Sequence, residues 1–217
     1  MVYAEALDKK NSRNYIMWQL ASLPFTAFLD KFIFRVKADY PKSLKIPNGV
    51  FIVSNHQYNY DPYLIYYYIK KINRGSKNEI EIRFPATHKY MGRRCWAIFL
   101  SLFGVYDIGA TAKDRARGLL YTRHLLQQGI SVLLFPEGKI VKKNEEIPDF
   151  KKGTEMIFRD KFPVVLVRLE GMNTFGWLNI TKRHQVKIYI SHIIDGDVSY
   201  QEKQVLAERF LKKQGKS

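Results

Sequence analysis

The sequence predicts an α/β fold: a single domain with a mainly parallel central sheet flanked by helices, preceded by an N-terminal helical segment. Three observations carry this. Short apolar runs recur at 50–53, 130–135 and 163–167. Segments with helical spacing of apolar residues separate them. A length of 217 residues with 46% hydrophobic and 26% charged side chains suits a folded chain with one substantial core.

Taken in order, residues 1–40 form a unit of their own and 41–217 the main domain. The first fourteen residues are polar and basic and read as a surface arm. From Tyr15 to Leu29 the chain is apolar, and Phe32-Ile33-Phe34 resumes the run after Asp30 and Lys31. Fifteen residues are too few to span a bilayer as one helix, and Pro24 interrupts them. With Lys9, Lys10, Arg13, Lys31, Arg35 and Lys37 alongside, the segment fits an element lying in a membrane interface. Packing on the protein's own core is the equal alternative.

Pro47-Asn48-Gly49 leads into the first strand, and Pro62 opens a tyrosine-rich helix to about residue 71. Residues 80–86 alternate as a short strand, placed near a sheet edge because it contains Pro85. Residues 91–103 combine Arg93 and Arg94 with aromatic and aliphatic side chains, a second candidate for lipid contact. A short extended piece at 105–108 precedes an amphipathic helix over 113–128, stopped by Gly129. The run at 130–135 is the clearest buried strand. A charged loop, a short helix at 153–161, strands at 163–167 and 186–190, and a last helix opened by the Ser199–Glu202 capping box complete the chain.

Lysine and arginine number 36 against 20 aspartates and glutamates, a surplus of +16. It favours anionic partners such as a phospholipid surface, phosphorylated cofactors or an acidic carrier protein. No zinc-finger spacing, basic zipper or RNA-recognition signature accompanies the charge, which argues against nucleic acid. Cys95 stands alone, so an intramolecular disulfide is impossible, and its apolar neighbours mark it as a packing residue. Scattered histidines without a cysteine partner give metal chemistry no support.

The stretch from Ser54 to Pro62 follows a buried strand and precedes a helix, a place where α/β proteins position reactive groups. It holds His56 and Asp61 with four residues between them. Asp61 suits a carboxylate that accepts a hydrogen bond from one ring nitrogen and leaves the other free to take a proton. Equally, Asp61 could cap the helix, with His56 an ordinary loop residue.

Several segments resemble the glycerophospholipid acyltransferase superfamily, in particular its 1-acylglycerol-3-phosphate acyltransferase branch. The opening block Asn55-His56 through Asp61 resembles that family's His-x4-Asp signature, and Phe135-Pro136-Glu137-Gly138 its Phe-Pro-Glu-Gly block. Phe150-Lys151-Lys152-Gly153 and the proline-led strand from Pro163 are similar to the elements that follow. The resemblance spans roughly residues 45–195. It implies transfer of a fatty acyl group from a thioester, on coenzyme A or acyl carrier protein, to a lysolipid hydroxyl. His56 would be the general base and Asp61 its partner. Asn55, Glu137, Gly138, Lys139, Lys113 and Arg115 would serve substrate binding, with no permanently bound cofactor or metal. The absence of a Gly-x-Ser-x-Gly elbow agrees with direct attack by the acceptor hydroxyl. A monotopic or peripheral enzyme on the cytoplasmic face of an anionic membrane is the setting implied.

Two departures bear on the acceptor. The family's acidic block normally continues with Thr or Ser and then Arg, whereas Lys139-Ile140-Val141 follows here. After the short strand of the second block the family carries an arginine; here the sequence is Asp107-Ile108-Gly109-Ala110-Thr111, with Lys113 and Arg115 the next cations. A lysine does not reproduce the bidentate phosphate contact of an arginine. The acceptor is therefore either a glycerol 3-phosphate held by these cations or a lysolipid of another kind. A lipid-binding protein of the same fold without turnover is the competing reading.

Overall fold

The computed structural model describes residues 2–75, 80–86, 100–142, 145, 148–174 and 184–212, with side chains from residue 14 onward. Among these, seven strands form one sheet: β1 (Lys37–Asp39), β2 (Phe51–Ser54), β3 (Ile82–Ala86), β4 (Val105–Asp107), β5 (Ser131–Leu134), β6 (Val164–Glu170) and β7 (Lys187–Ile190). Their spatial order is β1-β7-β6-β2-β5-β3-β4. Pairing is parallel throughout except between β6 and β7, which run antiparallel. The carboxyl ends of β2 to β6 therefore lie along one edge of the sheet.

Among the described residues the helices that accompany the strands include α1 (Val2–Leu29), α2 (Asp61–Ile72), α3 (Ala112–Gln127), α4 (Lys152–Phe158) and α5 (Tyr200–Lys212). Strand side chains alternate between two apolar layers. Ile52, Leu133, Val165 and Val167 pack with Leu64, Ile65 and Ile69 of α2. Phe51, Val53, Val132 and Leu166 face the other way, onto Leu125 of α3, Ile157 of α4 and Leu211 of α5. The central strands are buried on both faces, which is why they read as unbroken apolar runs.

Several boundaries differ from the sequence reading. The polar opening residues are helical from Val2, continuous with the rest of α1. Pro24 lies inside that helix, where it removes one hydrogen bond, and a π-helical turn, Asp30–Phe34, ends it. The short β1 carries no sequence signal because all three residues are exposed. β3 is not at the edge; β4 is. Pro85 is tolerated because β3 pairs with β5 only over Ile82 and Arg83, and with β4 only from Phe84 onward. The reading of an aromatic, basic helix at 91–103, and with it Cys95, falls largely outside the described residues.

The helix α1 has one face packed and one face exposed. Gln19, Thr26 and Ile33, spaced by seven, point inward and are buried. Gln19 donates from Nε2 to the carbonyls of Ile82 and Phe103, at 2.5 and 2.9 Å, and Tyr15 lies over the Arg83 guanidinium at 3.6 Å. The opposite face leaves Met17, Trp18, Phe25, Phe28 and Phe32 between 43 and 62% exposed. One side packs on the protein; the other is an apolar stripe on its surface.

Candidate active site

The segment leaving β2 is fixed to the neighbouring strand before it reaches the histidine. Asn55 donates from Nδ2 to the carbonyl of Leu169 at 2.9 Å and accepts from the Leu169 amide at 2.7 Å. Two residues on, Gln57 Oε1 accepts from the Met172 amide at 3.0 Å. These ties hold the loop against the end of β6. Asn55 is buried and both ends of its amide are engaged, so it ties the loop to β6. Neither tie could be read from the sequence, since the partners are 114 and 115 residues apart.

Between them stands His56. Its Nδ1 lies 3.0 Å from Asp61 Oδ2, and the same oxygen accepts from the amides of Gln57 and Tyr58 at 2.6 and 2.8 Å. An oxygen already receiving two amide hydrogens acts as acceptor toward the ring, which places the proton on Nδ1 and leaves Nε2 bare in the neutral imidazole. Asp61 is wholly buried in the first turn of α2, where the helix dipole favours its charge. Burial pushes its carboxyl up from the ordinary range, and the His56 ring and the two amides pull it back. Its side chain turns back over the loop instead of capping the helix; Tyr60 occupies the cap position without a side-chain bond.

The end of β5 completes the surroundings. Phe135 lies flat against the His56 ring, with centroids 4.0 Å apart and planes 15° from parallel. Phe135 to Gly138 forms a turn closed by a 3.1 Å bond from the Gly138 amide to the Phe135 carbonyl, with Pro136 in the favoured second position. Gly138 has φ +65°, and a Cβ there would meet only the Lys151 side chain at 3.5 Å. Backbone conformation, not crowding, is what calls for glycine. The Val141 amide donates to the His56 carbonyl at 2.7 Å, holding this segment across the loop that carries His56.

Glu137 is 1% exposed, and among the described residues neither carboxyl oxygen has a well-formed hydrogen bond. Burial pushes its pKa up to about 8; the nearby amides of Glu137 itself and His56 lower it, and the charge of Asp61 raises it. At neutral pH it is mostly a neutral acid able to donate a hydrogen bond.

The predicted cations lie at the surface. Lys139 is exposed and sits 3.4 Å from Glu145. Lys113 and Arg115 are exposed on the first turn of α3, which follows β4. β4 is three strands from β2 along the same edge, about 14 Å at the usual strand spacing. Arg115 is engaged by the Ala110 carbonyl at 2.6 Å. A cleft of about 690 Å³ opens here, bounded by Tyr106, Asp107, Ala110, Asp114 and Arg117. Gly118 lets α3 come this close to the loop: a Cβ would stand 2.8 Å from Ile108 Cα. The cation on this cleft is Arg117, which the sequence reading did not single out.

An imidazole–carboxylate pair whose second ring nitrogen has no partner among the described residues, set at the carboxyl edge of a parallel α/β sheet, is an arrangement able to take and return a proton. Residues 35–169 match the family model described as Acyltransferase, and the chain belongs to that family. Among solved structures the chain is similar to the 1-acyl-sn-glycerophosphate (LPA) acyltransferase PlsC from Thermotoga maritima. The TM-score is 0.64 at 19% identity, over 97% of this chain and 80% of that one. No curated protein matches the chain at a significant level.

Proposed function

We propose that the protein transfers a fatty acyl group from an acyl thioester, on coenzyme A or acyl carrier protein, to the free hydroxyl of a lysophospholipid of the 1-acylglycerol-3-phosphate class. The observation that carries this is the 3.0 Å contact between His56 Nδ1 and Asp61 in a chain of the acyltransferase family. His56 Nε2 has no partner among the described residues, and the side chain keeps 18% of its surface open. In the proposed step Nε2 takes the acceptor hydroxyl proton while the oxygen attacks the thioester carbonyl. The new ester C–O bond forms, the C–S bond breaks, and the thiolate recovers the proton from the imidazolium. Asp61 holds the ring in the productive tautomer and stabilises its charged form. Neutral Glu137 donates to an acceptor oxygen beside it.

The setting proposed is a lipid surface reached through the apolar stripe on α1. Phe25, Phe28 and Phe32 are aromatic anchors there, and Lys31 stands 5.3 Å from the Phe32 ring. No described helix is long and apolar enough to cross a membrane.

The test is release of free thiol from labelled acyl thioesters presented with a panel of lysolipids in vesicles. Turnover with at least one acceptor is expected, reduced about 10²–10⁴-fold in His56→Ala with the fold intact. Equal turnover in that variant would remove His56 from the chemistry. Absence of turnover with every acceptor would favour the lipid-binding reading.

A further inference from the structure

The four residues between His56 and Asp61 include one that reaches out of the loop. Tyr60 OH lies 2.6 Å from Thr26 Oγ1 on α1, a residue with no exposed surface. Thr26 has a single hydroxyl proton, and it goes to the Ser22 carbonyl at 3.0 Å. Tyr60 is therefore the donor and Thr26 the acceptor. Burial pushes the Tyr60 phenol up to about 12, against a lowering by the Thr26 bond, so the donor proton is retained at any working pH.

The Tyr60 ring is held as firmly as its hydroxyl. It meets Phe25 edge-on at 6.4 Å, Phe34 at 5.9 Å and Tyr63 in a stack at 5.3 Å. Phe25, adjacent to Thr26, belongs to the exposed stripe. Its backbone is tied as well: the Tyr60 carbonyl accepts from the amides of Tyr63 and Leu64 and so begins α2. The next residue is Asp61, whose carboxylate gathers the amides of Gln57 and Tyr58 and the His56 ring.

We infer that Tyr60 is a positioning residue whose hydrogen bond to Thr26 joins the helix bearing the apolar stripe to the catalytic loop and holds Asp61 in register with His56. This rests on the acyl-transfer reading of that pair. A helix that merely packed on the domain would not need its buried hydroxyl aimed at the residue preceding the catalytic carboxylate. An internal comparison exists at Tyr68, which makes the same kind of link, from its OH to Asp30 Oδ2 at 3.0 Å, but two turns farther along α2.

The experiment uses the full chain with Tyr60→Phe, Thr26→Val, Thr26→Ser and Tyr68→Phe. Acyl-transfer kcat is expected to fall about three- to tenfold in Tyr60→Phe and Thr26→Val, the worth of one hydrogen bond, with KM unchanged. Thr26→Ser, which keeps the hydroxyl, restores wild-type kcat. The double variant Tyr60→Phe/Thr26→Val is no slower than either single one, because both remove the same bond. Tyr68→Phe keeps wild-type kcat. In parallel, amide hydrogen exchange at Gln57 and Tyr58 speeds up in Tyr60→Phe and Thr26→Val but not in Tyr68→Phe. Wild-type kcat and exchange in Tyr60→Phe, equal losses in Tyr68→Phe, or failure of Thr26→Ser to restore kcat would each overturn the inference. A wild-type chain without transfer activity would instead sink the acyl-transfer reading, and the exchange comparison would still decide whether Tyr60 holds the loop.

Discussion

His56 lies flat on the ring of Phe135, at 4.0 Å between centroids, while its Nδ1 is bound by Asp61 at 3.0 Å. One contact sets the plane of the imidazole and the other sets its rotation within that plane. The first half of the Phe-Pro-Glu-Gly block thus acts on the histidine of the other block. Phe135→Leu keeps apolar volume and loses the flat face. Transfer is expected to slow about two- to tenfold, the worth of such a ring pair, with little change in thermal stability. Single-turnover measurements beside a melting curve would separate the two effects.

Asn55 gives the opposite pattern. Both ends of its amide meet Leu169 in a buried setting, so Asn55→Ala strands a buried N–H and a carbonyl. A loss of about 2–4 kcal/mol in unfolding free energy is expected. Asn55→Asp is worse, because an oxygen then faces the Leu169 carbonyl. Denaturant titration checks this, and an unchanged KM for the acceptor in a folded Asn55→Ala protein separates positioning from substrate contact.

Glu137 sets a pH dependence whose sign follows from its burial. Its folded pKa of about 8 lies above the ordinary value of 4.5, so the native state keeps a proton that the unfolded chain has released. The contribution is fully present below about pH 4.5 and is lost as pH rises through about 8, by at most ~1.4 kcal/mol per unit. Glu137→Gln does not titrate. Its stability relative to the wild type should therefore increase steadily from pH 5 to 8, measured by urea unfolding in a buffer series. A pH-independent difference would contradict the buried neutral acid.

The apolar stripe leads to a partition measurement. Phe25 and Phe28 are 58% and 54% exposed, so replacing both by serine should leave the melting temperature nearly unchanged. Each phenylalanine inserted into lipid is worth roughly 1.5–3 kcal/mol when fully buried. Co-sedimentation with anionic phospholipid vesicles should fall at least about tenfold in the double variant. Undiminished partition would place the lipid contact elsewhere.

The chemistry-bearing residues were legible because their signals are local. His56 and Asp61 lie within one strand–loop–helix unit, and the buried strands 51–54, 131–134 and 164–170 announce themselves by short, mostly apolar runs. Residue types and spacing along a few positions suffice for such features. Strand order is different in kind. Placing β4 three strands from β2 fixes where the helix bearing Lys113, Arg115 and Arg117 begins along the sheet edge. The Phe135 stack, the Asn55 and Gln57 ties to β6, and the Thr26–Tyr60 bond join residues between 34 and 115 positions apart. Local periodicity carries no information about which distant elements become neighbours; that is decided when the whole sheet buries both faces at once. Residue types and their short-range spacing thus named the candidate base and its partner, and tertiary packing alone decided what holds them in place.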